Sequence, residues 1–402
     1  MSTLPSEAPL LPLIFSRLFP TDRGPGNSRG VWIQGVSVGE VEVALTLAEL
    51  LLSLAPDLPL LLTSTTPAGV GLLSRRRPGS WRPFPLDVPS SVRRFFDATT
   101  PRLLVLVETE LWPAVLGEAR RRAVPVLVVN ARLSERSARR YRRIARLFGG
   151  SWDALTRVLA RTREDAARFE DIGVPSSRIA VGGDLKFDRA LAPEPPFAAR
   201  LRRLAGGRPI LVAGSVAESE IPLVLDVRRR LEKSGPGVLL VLAPRQPEAF
   251  DAAERRARAD GLAVVRRSRP DVPEGERSDV FLLDSVGELA GTYALGEAAL
   301  LGGSFAPKGG HNVLEPLRAG VPVVHGPSTE NIRAALEAAE GAVFAAVDAH
   351  SAADSLRPLL TDTAAHARAA TVARDLFACH AGAARTAAEA ALDLVLSGAA
   401  GT

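Results

Sequence analysis

The chain has 402 residues, 46% hydrophobic and 24% charged, with a formal net charge of +5 and one cysteine, Cys379. That length is too great for one compact core and predicts two domains of about 200 residues each. A lone cysteine excludes an internal disulfide and a zinc framework, and no run reaches the ~18 apolar residues of a spanning helix.

The chain opens on an apolar but proline-broken stretch, "APLLPLIFSRLFP", too short to read as a signal peptide. Residues 1–30 are therefore expected to pack on the body or touch a membrane surface. From residue 31 onward, short apolar runs alternate with longer amphipathic ones. "VWIQGVS" (31–37), "LPLLLTS" (58–64), "RLLVLVE" (102–108) and "VPVLVVN" (124–130) read as buried parallel strands, with helices at 41–54 and 112–123. The pattern predicts a doubly wound α/β domain over 31–190. A proline- and alanine-rich stretch, "DRALAPEPPFAARLRR" (188–203), reads as the linker, bounded as 191–205. A second Rossmann-like domain follows over 206–402, with strands at 209–214, 237–243, 279–283, 297–302 and 321–325 and an alanine-rich helical tail.

Charge is uneven along the chain. Residues 1–190 hold 27 Lys+Arg and 19 Asp+Glu, a balance of +8; the remainder hold 23 and 26, a balance of −3. "RLSERSARRYRRIAR" (132–146) predicts a helix with a broad cationic face, either merely solvated or facing an anionic partner. Few aromatics are interleaved with these arginines, which argues against single-stranded nucleic acid. All five histidines lie beyond residue 310, so a general base in the first half has to be a carboxylate.

The candidate functional residues fall at predicted strand ends. "SVGEVE" (37–42) opens the first helix after a glycine turn and offers Glu40 as that base; the other reading is a Ser37–Glu40 capping box. "ETELWP" (108–113) places Glu108 and Glu110 at a strand end, and "GGDLKFD" (182–188) brings Lys186 just before the linker. In the second half, "AGSVAESE" (213–220) offers Ser215, and "APRQPE" (243–248) offers Arg245 for a phosphate or carboxylate. "GGSFAPKGGHNVLEP" (302–316) reads as an anion cradle, in which exposed N–H groups and a helix start near His311 or Asn312 meet the charge of Lys308. There Gly309 and Gly310 would form the turn, Asn312 would cap or bind oxygen, and Glu315 would accept ribose hydroxyls; the alternative is an Asn312–Glu315 capping box. Neither the Walker nor the dinucleotide spacing is present, and no histidine–acid cluster has metal-ligand spacing.

Taken in order, "WIQGVSVGE", "TSTTPAG", "PFPLD", "ETELWP", "NARLSERS", "GDLKFD", "AGS", "APRQPE" and "GGSFAPKGGHNVLEP" resemble the bacterial 3-deoxy-D-manno-octulosonic acid (Kdo) transferases over nearly the whole chain. The resemblance implies a GT-B fold of two Rossmann-like domains facing an interdomain cleft. It implies CMP-Kdo as donor, a phosphorylated lipid A precursor as acceptor, and metal-independent, inverting transfer with no cofactor. By position, Glu40 would be the base, Glu108, Glu110 and Lys186 would sit near the reacting sugars, and Arg245, Gly309, Gly310, Asn312 and Glu315 would hold the nucleotide. It also implies work at the cytoplasmic face of the bacterial inner membrane, against an anionic lipid surface and without nucleic acid. The chain departs from the family at Gln34, Ala217 and Gln246, where histidine is frequent, and in its short N-terminal apolar segment. Two other readings compete: another GT-B enzyme, such as an N-acetylglucosaminyltransferase or a nucleotide-sugar 2-epimerase, and a silent scaffold that binds anionic lipid.

Overall fold

The structure is a computed structural model that describes residues 17–18, 29–109, 111–148, 151–235, 237–269 and 278–399. Most of the apolar segment 1–30 thus lies outside the described residues. The chain divides into two compact units: residues 1–190 with 380–402, and residues 191–379.

The first unit is built on seven parallel strands: β1 (Val31–Gln34), β2 (Leu60–Ser64), β3 (Trp81–Pro83), β4 (Leu103–Val107), β5 (Val126–Ala131), β6 (Leu155–Ala160) and β7 (Ile179–Val181). Their order is β3-β2-β1-β4-β5-β6-β7. The central strands are buried throughout and mostly apolar, because both faces of the sheet are covered. On β1, Val31 and Ile33 enter one core layer and Trp32 the other. Between the strands run α1 (Val38–Leu54), α2 (Pro67–Arg76), α3 (Pro89–Thr99), α4 (Pro113–Arg121), α5 (Glu135–Phe148) and α6 (Arg163–Asp171). Strand order reverses between β1 and β4, the kind of switch point beyond whose strand C-termini α/β sheets bind ligands.

The second unit repeats the plan. Its strands are β8 (Ile210–Val216), β9 (Leu239–Pro244), β10 (Val264–Arg266), β11 (Val280–Leu282), β12 (Ala298–Leu301), β13 (Val323–His325) and β14 (Val343–Ala345), ordered β10-β11-β9-β8-β12-β13-β14. Here the order reverses between β8 and β12. The helices of this unit are α7 (Ala198–Ala205), α8 (Ile221–Ser234), α9 (Phe250–Ala259), α10 (Leu289–Tyr293), α11 (Leu314–Arg318), α12 (Arg333–Ala338), α13 (Ala349–Thr361) and α14 (Thr363–His380).

Two boundary expectations are corrected. The segment 191–205 is part of the second unit and includes α7, with Leu201 fully buried and the Phe197 ring 5.2 Å from Phe281. The last helix, α15 (Ala383–Ala399), belongs to the first unit rather than to the second domain. Its Ala384, Ala387, Ala388, Ala391 and Val395 join the core layer that holds α1. Asp188 fastens its start, with carboxylate oxygens accepting from Gly382 N–H at 2.6 Å and Ala384 N–H at 2.7 Å. An alanine stripe fits closely against any apolar surface, so the sequence alone did not say which one.

Candidate active site

The loops at the two strand-order reversals carry nearly all of the candidate residues. After β1, Gly35 and Val36 turn the chain into α1. Ser37 is its N-cap, with Oγ accepting from Glu40 N–H at 3.3 Å. The Glu40 carboxylate folds back on this turn: Val36 N–H donates to one oxygen and Ser37 Oγ–H to the other, each at 2.8 Å. The capping reading and the base reading therefore meet in one side chain. Glu40 is 9% exposed. Burial raises its pKa above the ordinary carboxylate range, the two hydrogen bonds oppose this, and the negative charge of Glu108 adds to it.

Glu108 follows β4, the strand beside β1 across the reversal. Its backbone is left-handed, φ 64°, a conformation costing a non-glycine residue about 1 kcal/mol. Its N–H donates to Val129 O, and its carboxylate pairs with Lys186 Nζ at 2.9 Å. Lys186 is held by its own turn, in which Asp184 accepts from Lys186 N–H and Asn130 Oδ1 accepts from Leu185 N–H, both at 3.0 Å. Asn130, fully buried at the end of β5 with φ 52°, was not singled out from sequence. Glu40, Glu108 and Lys186 thus gather at one strand-order reversal. Glu110 lies outside the described residues. Gln34 is buried below this group in a chain of hydrogen bonds: Trp32 Nε1–H donates to Thr63 Oγ1 at 2.8 Å, and Thr63 donates to Gln34 Oε1 at 2.5 Å.

In the second unit the glycine loop departs from the expected cradle. The N–H groups of Gly303, Phe305 and Ala306 point at a carboxylate of the protein itself. Glu220, 3% exposed, accepts from them at 2.7, 2.8 and 3.0 Å and from Ala217 N–H at 2.8 Å. Gly309 N–H donates to Ser328 Oγ and Gly310 N–H to Gly303 O, both at 2.8 Å. The expectation that these glycine N–H groups hold an anion is therefore corrected: their acceptors are internal. Gly309 serves shape instead. Its φ is 80°, and a Cβ there would lie 2.3 Å from Asn331 Nδ2. The helix also starts later than expected, with α11 beginning at Leu314. Ahead of it Asn312 Oδ1 accepts from Leu314 N–H at 3.1 Å, and Nδ2 donates to Glu315 Oε1 at 2.9 Å, so the two side chains brace each other.

The loop offers cations and a ring. Lys308 and Arg245 are exposed, and neither has an ion-pair partner among the described residues. Burial lowers the pKa of His311; its hydrogen bond to Ser215 opposes this, the charge of Arg245 adds to it, that of Glu220 opposes it and that of Lys308 adds to it. His311 Nδ1 lies 2.8 Å from Ser215 O. A carbonyl only accepts, so Nδ1 carries the proton and the neutral ring presents Nε2 as an acceptor. Ser215 itself is left-handed, φ 54°, in an irregular stretch of β8, and it enters the site through its carbonyl. Sequence reading missed Glu220 and the ring contact of His311. Each depends on partners more than 80 residues away, for which no local signal exists. Among the described residues no group of three metal-ligating side chains occurs.

The sequence profile of the 3-deoxy-D-manno-octulosonic-acid transferase (kdotransferase) family matches residues 14–189. The chain is 37% identical to the 3-deoxy-D-manno-octulosonic acid transferase of Bordetella pertussis, over 90% of this chain and 87% of that one. It is 33% identical to the enzyme of that name from Haemophilus influenzae, over 75% and 72%. Among solved structures, UDP-GlcNAc 2-epimerase from Neisseria meningitidis bound to UDP-GlcNAc superposes with a TM-score of 0.60 at 13% identity, covering 92% of this chain and 100% of that one. That last likeness establishes a shared fold, GT-B, and nothing about substrate.

Proposed function

Because this chain belongs to the 3-deoxy-D-manno-octulosonic-acid transferase family, and is therefore a glycosyltransferase, we propose that it moves Kdo from CMP-Kdo to a lipid A precursor, lipid IVA. The observation that carries the reading is Glu40, a buried carboxylate with a raised pKa at a strand-order reversal, beside Glu108 and Lys186. In this proposal Glu40 takes the proton from the acceptor's primary hydroxyl as that oxygen attacks the anomeric carbon of the donor. The bond from that carbon to the phosphate oxygen breaks and CMP leaves, inverting the centre. Lys186 holds Glu108 in place and supplies a cation near the incoming sugar carboxylate. In the second unit Lys308 and Arg245 offset the charge that grows on the leaving phosphate, so the step as proposed uses no metal. Asn312 and Glu315 would take the ribose, and the Gly309–Gly310 turn would shape the loop beneath it.

We place the protein at the cytoplasmic face of the inner membrane, as a peripheral protein on an anionic lipid surface. Among the described residues no helix is long and apolar enough to cross a membrane. The test of the chemistry is Glu40→Gln, assayed with CMP-Kdo and a tetraacylated, bisphosphorylated acceptor by mass spectrometry of the lipid. Transfer is expected to be lost while CMP still binds. Turnover retained in that variant overturns the base assignment, and protection by uridine nucleotides rather than CMP overturns the donor.

A further inference from the structure

Helix α5 (Glu135–Phe148) carries a dense run of arginines. Arg136, Arg139, Arg140 and Arg143 recur at i, i+3, i+4 and i+7, which puts them on one helical stripe. Ala138 and Tyr141, the buried residues among 135–143, lie on the opposite side. Arg132 and Arg142 flank the stripe, and all six arginines are exposed. None of the six has a carboxylate partner among the described residues; Arg140 lies over Tyr141, 5.1 Å from the ring centroid, and donates to its hydroxyl at 3.5 Å.

Several other arginine clusters are neutralised locally. Arg121 and Arg122 close on Glu118 at 2.6 Å, Arg229 and Arg230 on Asp226 at 3.2 and 2.9 Å, and Arg266 on Asp251, Glu254 and Asp284 at 2.7 to 3.0 Å. The helix is also tied to the candidate site: Tyr141 Oη–H donates to Thr109 O at 3.0 Å, on the residue after Glu108.

We propose that this arginine stripe is the surface by which the protein docks on an anionic lipid bilayer, placing the Glu108 loop near the plane of the lipid headgroups. The proposal rests on the membrane-surface reading above and names the element that performs it. Four guanidinium groups without a carboxylate partner among the described residues, spaced along about two turns, match a plane of phosphate headgroups, which they meet as bidentate donors. Tyr141, the one aromatic among residues 132–143, is buried, so this stripe offers nucleic-acid bases no exposed ring to stack on.

The experiment is co-sedimentation of the purified full chain with vesicles of phosphatidylcholine alone or with about 30% phosphatidylglycerol, at low and high salt, without substrates. The protein is expected to bind the anionic vesicles and to leave them in high salt. The combined Arg136→Gln, Arg139→Gln, Arg140→Gln and Arg143→Gln variant should bind at least about a hundred-fold more weakly, from about 1 kcal/mol per basic side chain at the surface. Arg229→Gln with Arg230→Gln, which removes paired arginines, should change binding less than about twofold. Undiminished binding by the four-site variant, equal binding to neutral vesicles, or no vesicle binding by the parent protein each overturns the proposal. So does tighter, equally arginine-dependent binding to a DNA duplex at the same salt. Binding of CMP by the four-site variant checks its fold. A parent protein that binds anionic vesicles but not CMP would sink the donor assignment and leave the docking surface standing.

Discussion

Glutamine at position 220 removes one acceptor oxygen from a carboxylate that serves four backbone N–H groups. One oxygen accepts from Ala217 and Gly303, the other from Phe305 and Ala306. In Glu220→Gln either pair meets an NH2 group, donor against donor, so two N–H groups are orphaned whichever way the amide is turned. Orphaned buried donors cost about 1–3 kcal/mol each, which places the loss at about 2–6 kcal/mol. That is a large part of the stability of a domain this size. Urea unfolding followed by far-UV circular dichroism reads the effect. All four tryptophans, Trp32, Trp81, Trp112 and Trp152, lie in the first unit, so their fluorescence serves as an internal reference. The dichroism midpoint should fall more than the fluorescence midpoint. CMP affinity should weaken tenfold or more, because the strand-end turn that leads to Lys308 and His311 loses its anchor. A variant that keeps both the parent midpoint and the parent CMP affinity would refute the clamp.

The pH profile of transfer should show an acid limb set by Glu40. The proposed base would work deprotonated and burial raises its pKa, so kcat should fall with decreasing pH at a point above the ordinary carboxylate range, a limb lost in Glu40→Gln. At position 108, with φ 64°, Glu108→Gly should be about 1 kcal/mol more stable to urea than Glu108→Ala, while both lose transfer; equal stability would deny the strain. Ala391→Asp buries a carboxylate where α15 meets the first unit and should lower the tryptophan-reported stability by several kcal/mol; a neutral result would contradict the assignment of that helix.

Much of this protein was legible in its sequence because the signals are local. Apolar runs such as 103–107 and 126–129 are buried on both faces, so composition alone marks them as parallel strands. Chain order places the candidate residues near strand ends: Glu108 and Arg245 directly follow β4 and β9, Ser215 is the next-to-last residue of β8, and Glu40 lies in the first turn of α1 after β1. Short strands such as β3, β7 and β14 escaped notice, since three residues of mixed burial have no period to detect.

What the tertiary structure alone decided are the pairings across distance. Lys186 meets Glu108 across 78 residues, Asp188 fastens a helix that begins almost 200 residues later, and Glu220 fills the anion cradle that the glycine loop offers. The loop's sequence correctly announced N–H groups in need of an acceptor. It did not announce which acceptor, because any carboxylate or phosphate satisfies the same donors, and only the folded chain brings one of them within 3 Å.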